Sequence, residues 1–207
     1  MMEIGTPACS ISVRVVCRES CKVIRRSPAR LSIADEDDPL EVFRAAAQIS
    51  PDAAASAQQL LTVFETRAIP TARPTRGSAD LIITAYRTGR TVTIVSNNSS
   101  AAIAAYLADH RLDGYIRAIV ARDDHDPERM KPSPYRVREA VSLLDAEHSE
   151  CVLVGDSTTD VLAGHLAGVA VIGYADKPGK AQAFADVQAA AVTTDLADIT
   201  TALRNTA

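Results

Sequence analysis

The chain lacks tryptophan, and only 4% of its 207 residues are aromatic. No apolar run approaches the roughly 20 residues that a membrane-spanning helix needs. The N-terminus has neither the continuous apolar segment nor the cleavage site of a secretory signal. Cysteine is scarce, and none of the four cysteines stands in a Cys-x-x-Cys pair, so a zinc site is not expected. These absences predict a cytoplasmic protein with reduced thiols and no membrane association.

The charge balance argues against nucleic acid as a partner. The chain carries 22 Lys and Arg against 26 Asp and Glu, a formal net charge of -4. A general nucleic-acid-binding protein is therefore not expected. The length and the 47% hydrophobic content fit one α/β domain, or one domain with a small insert. We expect a monomer or a homodimer.

One apolar run ends in two acidic residues. Cys151-Val152-Leu153-Val154 leads into Gly155-Asp156, and Asp160 follows in a predicted helix, a pattern typical of a buried parallel strand and the helix after it. Ligands of open α/β folds bind at this carboxyl edge of the sheet. Because Asp156 and Asp160 share one face of the first helical turn, their repulsion predicts a cation, and oxygen ligands favour Mg²⁺. The alternative is that Asp156 caps the helix and Asp160 is a solvated charge.

A serine follows a second predicted strand, Thr91–Val95. The hydroxyl of Ser96, together with the backbone N–H groups of Asn97 and Asn98, suits an anionic oxygen. The structural alternative needs only Ser99, as the N-cap of the next helix.

A lysine precedes a proline at the predicted start of another helix, Pro132–Leu144. A cation gains nothing from the dipole at a helix N-terminus, so Lys131 suits the binding of an anion there. The alternative is a solvated surface lysine, which is the commoner case for any single lysine.

Three ranges differ in their patterns. Residues 71–207 alternate predicted strands and helices, which favours a parallel sheet with helices on both faces. Residues 38–70 predict a helical pair, because Asp38 and Ser50 are N-cap residues followed by proline. Residues 1–37 are an N-terminal segment with a candidate first core strand at 10–17 and a basic stretch after it.

The order of strand-Ser, Lys-Pro and strand-Gly-Asp-x-x-x-Asp resembles the haloacid dehalogenase-like (HAD) superfamily. Ser96, Lys131 and the segment 155–160 are similar to the second, third and fourth motifs of that family. The resemblance implies a HAD-like three-layer α/β sandwich with a parallel sheet. It also implies that 38–70 is a small helical cap and 71–207 the core domain.

The same resemblance implies roles for the site residues. Ser96 and Lys131 are expected to be catalytic, with Ser96 binding the transferring phosphoryl group and Lys131 neutralising the phosphate and the nucleophile. Asn97 is expected to join them in substrate binding. Asp156 is expected to bind Mg²⁺, and Asp160 to bind it directly or through water. Phosphoryl transfer needs this charge neutralisation and positioning more than other catalytic help.

The first motif of the family, Asp-x-Asp-Gly, is absent from the sequence. Its first Asp is the covalent nucleophile and its second the general acid and base. Three alternatives remain: Cys17 and Glu19 replace them, Asp35 and Asp37 supply them, or the chain has no nucleophile. An altered N-terminus would explain both the missing motif and the unusual composition of residues 1–30.

The sequence therefore predicts a Mg²⁺-dependent phosphatase that hydrolyses a small phosphorylated metabolite by HAD-type phosphoryl transfer. The alternative is a catalytically impaired HAD-like module that binds a phosphate or a partner without turnover. A receiver-like signalling domain fits less well, because it needs a phosphoacceptor Asp and an acidic pair near the N-terminus.

Overall fold

Six parallel strands form one sheet in the order β3-β2-β1-β4-β5-β6. The computed structural model describes residues 8–12 and 38–206. The strands are β1 Ala8–Ser12, β2 Val92–Val95, β3 Ala118–Val120, β4 Cys151–Gly155, β5 Ala170–Tyr174 and β6 Ala191–Thr193. The N-terminal strand β1 lies between β2 and β4, the two strands that lead into Ser96 and Asp156. The predicted parallel sheet is confirmed.

Helices connect the strands. Those in the described ranges are α1 Pro39–Ile49, α2 Pro51–Ala68, α3 Ser78–Arg87, α4 Ser100–Asp109, α5 Tyr135–Leu144, α6 Thr158–Ala167, α7 Lys180–Asp186 and α8 Leu196–Asn205. Short 3₁₀ turns lie at Ile69–Thr71, Asp113–Tyr115, Pro127–Arg129 and His148–Glu150. Across these ranges, every helix is too short or too polar to pass through a bilayer.

The sheet has a hydrophobic core on each face, because neighbouring strand residues point to opposite sides. Leu153 packs with Val137 of α5 and Val161 of α6 on one face. Val154 packs on the other face, with the cluster that α3, α4 and α8 contribute. The three-layer α/β sandwich is thus confirmed.

The helical pair α1–α2 forms where predicted. The Asp38 side chain accepts a hydrogen bond from the Leu40 N–H at 2.9 Å, and the Ser50 hydroxyl oxygen accepts one from the Ala53 N–H at 3.1 Å. The pair has its own buried cluster, which includes Val42, Phe43 and Leu61 of the pair and Met130 of the loop before Lys131. The division into a cap at 38–70 and a core at 71–207 stays a prediction.

Three elements differ from the sequence interpretation. Helix α5 begins at Tyr135 rather than Pro132, with Pro134 as its N-cap residue, so Lys131 lies in the turn before the helix and not at its N-terminus. Helix α7, which follows Gly179, was not predicted. Strand β1 ends at Ser12, and the remainder of the predicted strand lies outside the described residues.

We predict that Gly164→Ala destabilises the fold. A Cβ at Gly164 of α6 would lie 2.2 Å from Val171 Cγ2 and 3.1 Å from the Val169 carbonyl oxygen. This clash should lower the free energy of unfolding by about 1–3 kcal/mol, although alanine favours helices by about 1 kcal/mol over glycine. Urea denaturation measures the difference.

Gly114→Ala is the control, because no atom beyond its two chain neighbours lies within 4 Å of a Cβ built there. We expect it to change the free energy of unfolding by less than about 0.5 kcal/mol. Equal stabilities of the two variants would contradict the packing argument.

Candidate active site

Two polar loops flank the central strand at its carboxyl edge. Strand β1 pairs Ser12 with Val95 of β2 and Ile11 with Val154 of β4. Because β2 and β4 both end at this level, Ser96 and Asp156 follow at the same edge of the sheet. This is the edge at which the sequence predicted a ligand site.

The Lys131 ammonium is buried between these loops. Its Nζ donates to Asp160 Oδ1 at 2.5 Å and to the Val95 carbonyl oxygen at 3.4 Å. Lys131 is 5% exposed and Asp160 1% exposed, so the ion pair is largely shielded from solvent. A buried charge is stable only when it is paired and hydrogen-bonded, and Asp160 and the Val95 carbonyl meet that requirement for Lys131. The alternative, a solvated surface lysine, is therefore wrong.

The Asn97 side chain holds the backbone of Lys131. Asn97 Oδ1 accepts from the Lys131 N–H at 2.9 Å, and Asn97 Nδ2 donates to the Lys131 carbonyl oxygen at 3.2 Å. These two bonds join the loop after β2 to the turn before α5. The side chain of Asn97 therefore orients Lys131, a role that the sequence pattern did not indicate.

The second oxygen of Asp160 accepts three hydrogen bonds. The backbone N–H groups of Asp156 and Ser157 donate to Oδ2 at 3.1 and 3.0 Å, and the Ser157 hydroxyl donates at 2.8 Å. The N-cap of α6 is Ser157, in a reciprocal capping box with Asp160. Asp156 is thus not the cap residue, which corrects the alternative interpretation of its carboxylate.

Gly155 leaves the space that Asp160 occupies. A Cβ at residue 155 would lie 2.4 Å from Asp160 Cβ and 2.8 Å from Asp160 Oδ2. The glycine of the Gly-Asp-x-x-x-Asp pattern is therefore required by the close approach of the Asp160 side chain.

Asp156 faces the cavity from the other side. Its side chain is 34% exposed, and Lys180 Nζ lies 3.6 Å from Oδ2. Lys180 also donates to the Asp156 carbonyl oxygen at 2.7 Å and forms an ion pair with Asp176. Each of the two site carboxylates thus has a lysine beside it, so their mutual repulsion does not by itself require a metal ion, as the sequence argument assumed.

Ser96 is fully buried, and its hydroxyl oxygen accepts a hydrogen bond from the Asn98 N–H at 3.1 Å. This bond orients the hydroxyl. It also directs the Asn98 N–H to Ser96, and not to an external anion as the sequence interpretation proposed.

A cavity of about 120 Å³ connects these groups. All five predicted site residues line it: Ser96, Asn97, Lys131, Asp156 and Asp160. Helix α1 and its cap residue Asp38 form the opposite wall, where Arg44 pairs with Glu41 and donates to the Lys131 carbonyl oxygen at 3.4 Å. Helix α1 of the pair is therefore part of the site.

Sequence reasoning missed Arg44 and Lys180. Asp176 and Lys180 are four residues apart, and this spacing could have indicated an ion pair that involves Lys180. No sequence signal linked α1 to the sheet edge, because that contact depends on the tertiary structure. Cys17, Glu19, Asp35 and Asp37, the alternatives for the nucleophile and the general acid, lie outside the described residues.

The family model of the haloacid dehalogenase-like hydrolases matches residues 37–174. The chain belongs to this family. The match includes the helical pair and all five predicted site residues, and it begins after most of the N-terminal segment in which the first HAD motif was sought.

Two curated relatives are similar over about half of the chain. A plasmid-encoded phosphoglycolate phosphatase of Cupriavidus necator is 38% identical over 104 residues, which are 48% of this chain and 44% of that protein. The pyrophosphatase PpaX of Halalkalibacterium halodurans is 35% identical over 104 residues, 49% of this chain and 47% of that protein. The chain thus spans less than half the length of these two curated relatives.

Solved structures share the HAD fold over nearly the whole chain. A predicted phosphatase from Clostridium acetobutylicum has a TM-score of 0.74 at 14% identity, covering 97% of this chain and 100% of that one. A predicted phosphoglycolate phosphatase from Haemophilus somnus 129pt has a TM-score of 0.70 at 15% identity, covering 98% of both chains. At these identities the likeness concerns the fold.

We predict that Asp160→Asn lowers the free energy of unfolding by about 3 kcal/mol or more, because it leaves the buried Lys131 ammonium without its carboxylate. Asp176→Asn is the control. It removes the carboxylate from another Lys–Asp pair, but Lys180 and Asp176 are each about one-quarter to one-third exposed. That change should cost less than about 1 kcal/mol.

Urea denaturation of both variants at one pH measures the comparison. A loss at Asp160→Asn no larger than that at Asp176→Asn would mean that burial does not govern the strength of the Lys131 pair.

Proposed function

We propose that this HAD-like protein is a Mg²⁺-dependent phosphatase of a small phosphomonoester. The observation that carries the proposal is the buried Lys131 ammonium, held by Asp160 in a cavity that Ser96 and Asp156 also line. A lysine, a hydroxyl and a carboxylate at one sheet edge provide an anion site beside a cation site. Phosphoryl transfer depends on that combination.

Each residue has a separate task. Lys131 neutralises the charge of the transferring phosphoryl group, and its ammonium is kept in place by Asp160 and by the backbone bonds to Asn97. Ser96 lines the cavity, and its hydroxyl binds a phosphoryl oxygen. Asn97 acts in substrate binding through Lys131, because its side-chain amide is bonded to that backbone.

One arrangement of the described residues suits Mg²⁺, although they include no group of three or more acidic, His or Cys side chains that could hold a metal ion. Asp156 would be the direct ligand, because its carboxylate faces the cavity and is one-third exposed. Asp160 acts through Lys131 and Ser157, since four donors already engage its two oxygens. Mg²⁺ is commonly held by one or two carboxylates, with phosphate oxygens and water as the other ligands. It supplies charge neutralisation of the phosphoryl group when bound.

The activities for which the two relatives are named support a small substrate. They are called a phosphoglycolate phosphatase and a pyrophosphatase. We place the protein in the cytoplasm, in keeping with the buried, unpaired Cys151.

One observation favours a second candidate function, phosphate binding without turnover. The Asp-x-Asp-Gly motif, whose first Asp is the nucleophile of the HAD pattern, is absent from the sequence. Asp35, Asp37, Cys17 or Glu19 would have to supply the nucleophile and the general acid instead.

We predict that Asp156→Ala removes Mg²⁺-dependent hydrolysis of a generic aryl phosphate, with a fall of about 10²-fold or more in kcat/KM. Asp186→Ala, a carboxylate at the far end of α7, should keep the wild-type rate. Release of the aryl alcohol, followed by absorbance with and without Mg²⁺, measures both variants.

A wild-type rate no higher than that of Asp156→Ala would reject the phosphatase for this chain. Calorimetry with inorganic phosphate then tests the second candidate. Binding that Lys131→Met weakens supports a phosphate-binding module, whereas no binding rejects that candidate as well.

A further inference from the structure

A second buried ion pair lies outside the cavity. Arg122, in the loop after β3, is fully buried, and its Nη2 contacts Oε1 of Glu65 of α2 at 2.5 Å. Burial lowers the pKa of the Arg122 guanidinium, and Glu65 opposes that shift. A buried pair of charges is costly to desolvate, so it contributes little net stability compared with an apolar pair of similar volume. Neither residue has a task in the proposed phosphoryl transfer.

The pair contacts three consecutive residues of the loop that follows Ser96. Arg122 Nε donates to the Asn97 carbonyl oxygen at 2.8 Å, and the Arg122 backbone N–H donates to the Asn98 carbonyl oxygen at 2.9 Å. Glu65 Oε2 accepts from the Ser99 N–H at 2.8 Å. The loop is thus held at successive peptide groups by one arginine and one glutamate.

These contacts continue to the phosphate-binding lysine. Arg122 binds the carbonyl of Asn97, and the side chain of the same Asn97 makes both hydrogen bonds to the Lys131 backbone. A displacement of the Asn97 peptide would therefore move both Ser96, its neighbour in the chain, and Lys131.

The helical pair completes the arrangement. Gln58 Nε2 of α2 donates to the Arg122 carbonyl oxygen at 3.0 Å, and the guanidinium lies 5.5 Å from the centre of the Phe43 ring of α1. Arg122 is therefore in contact with both helices of the pair and with the loop after β2.

We propose that Arg122 is a positioning residue of the phosphate site: paired with Glu65, it fixes the Ser96–Ser99 loop and, through Asn97, Lys131. This inference rests on the proposed function, because it takes Ser96 and Lys131 as the phosphate-binding groups. Arg122 itself does not line the cavity.

A double variant separates positioning from stability. Arg122→Met alone leaves the Glu65 carboxylate buried without its cation, so it should destabilise the fold. Glu65→Leu combined with Arg122→Met replaces the ion pair by apolar side chains and should recover much of that stability. It cannot restore the bonds to the Asn97 carbonyl and the Ser99 N–H.

Arg136→Met is the matched control. Arg136 is also a buried arginine of this region, 3% exposed, and it bonds the Ala121 carbonyl oxygen and Asp124. Its loss should destabilise the fold, but it removes neither the Arg122 side-chain bond to the Asn97 carbonyl nor the Glu65 bond to the Ser99 N–H.

The experiment measures the Kd of inorganic phosphate by calorimetry and the stability of each variant by urea denaturation. We expect the double variant to regain stability and still bind phosphate about tenfold more weakly than wild type, a factor that equals about 1.4 kcal/mol. Arg136→Met should keep phosphate affinity within about twofold. Arg122→Lys, which keeps the charge but lacks the planar fork, should weaken phosphate binding without loss of the fold.

Three results would overturn the inference. The double variant or Arg122→Lys binds phosphate as tightly as wild type, or Arg136→Met weakens binding as much as the double variant does. A wild-type protein that binds no phosphate would overturn the proposed function itself, and the inference with it.

Discussion

The site depends on one buried ion pair, Lys131–Asp160. An ammonium and a carboxylate that are both almost excluded from water remain charged only when their hydrogen bonds are satisfied. Asp160 meets this condition with the first turn of α6, and Lys131 with the end of β2. The pair therefore joins the strand that precedes Ser96 to the helix that follows Asp156.

The rest of the molecule brings these segments together. Parallel strands end at the same edge, so β2 and β4 place their loops on either side of β1. The apolar clusters on the two faces hold the strands, and helix α1 adds the outer wall of the cavity. The packed strands and helices thus position the loops, and the loops carry the polar side chains of the site.

Much of this could be predicted from local sequence. The strand Cys151–Gly155 was predicted correctly, because a short apolar run that ends in Gly-Asp is typical of a buried strand. The helical pair was predicted correctly, because Asp38 and Ser50 are N-cap residues that precede prolines. The start of α5 was wrong because proline at 132 resembles a helix start, whereas the chain first makes a turn there.

The partners of the charged residues could not be predicted. The Asn97 contact with Lys131 joins positions 34 residues apart, and the Glu65 contact with Arg122 joins positions 57 apart. Such pairings follow from packing that no local pattern encodes. The same limit applies to Arg44, whose helix reaches the sheet edge only in the folded chain.

The contact between Gly155 and Asp160 has a consequence for how the site can change. A side chain at position 155 would occupy the volume of the Asp160 carboxylate, so the last residue of β4 and the charge pair can only be altered together. Variation in ligand preference is therefore easier to obtain on the α1 wall, where Leu40, Glu41 and Arg44 border the cavity. Laboratory evolution toward a new ligand should begin with a library at those three positions.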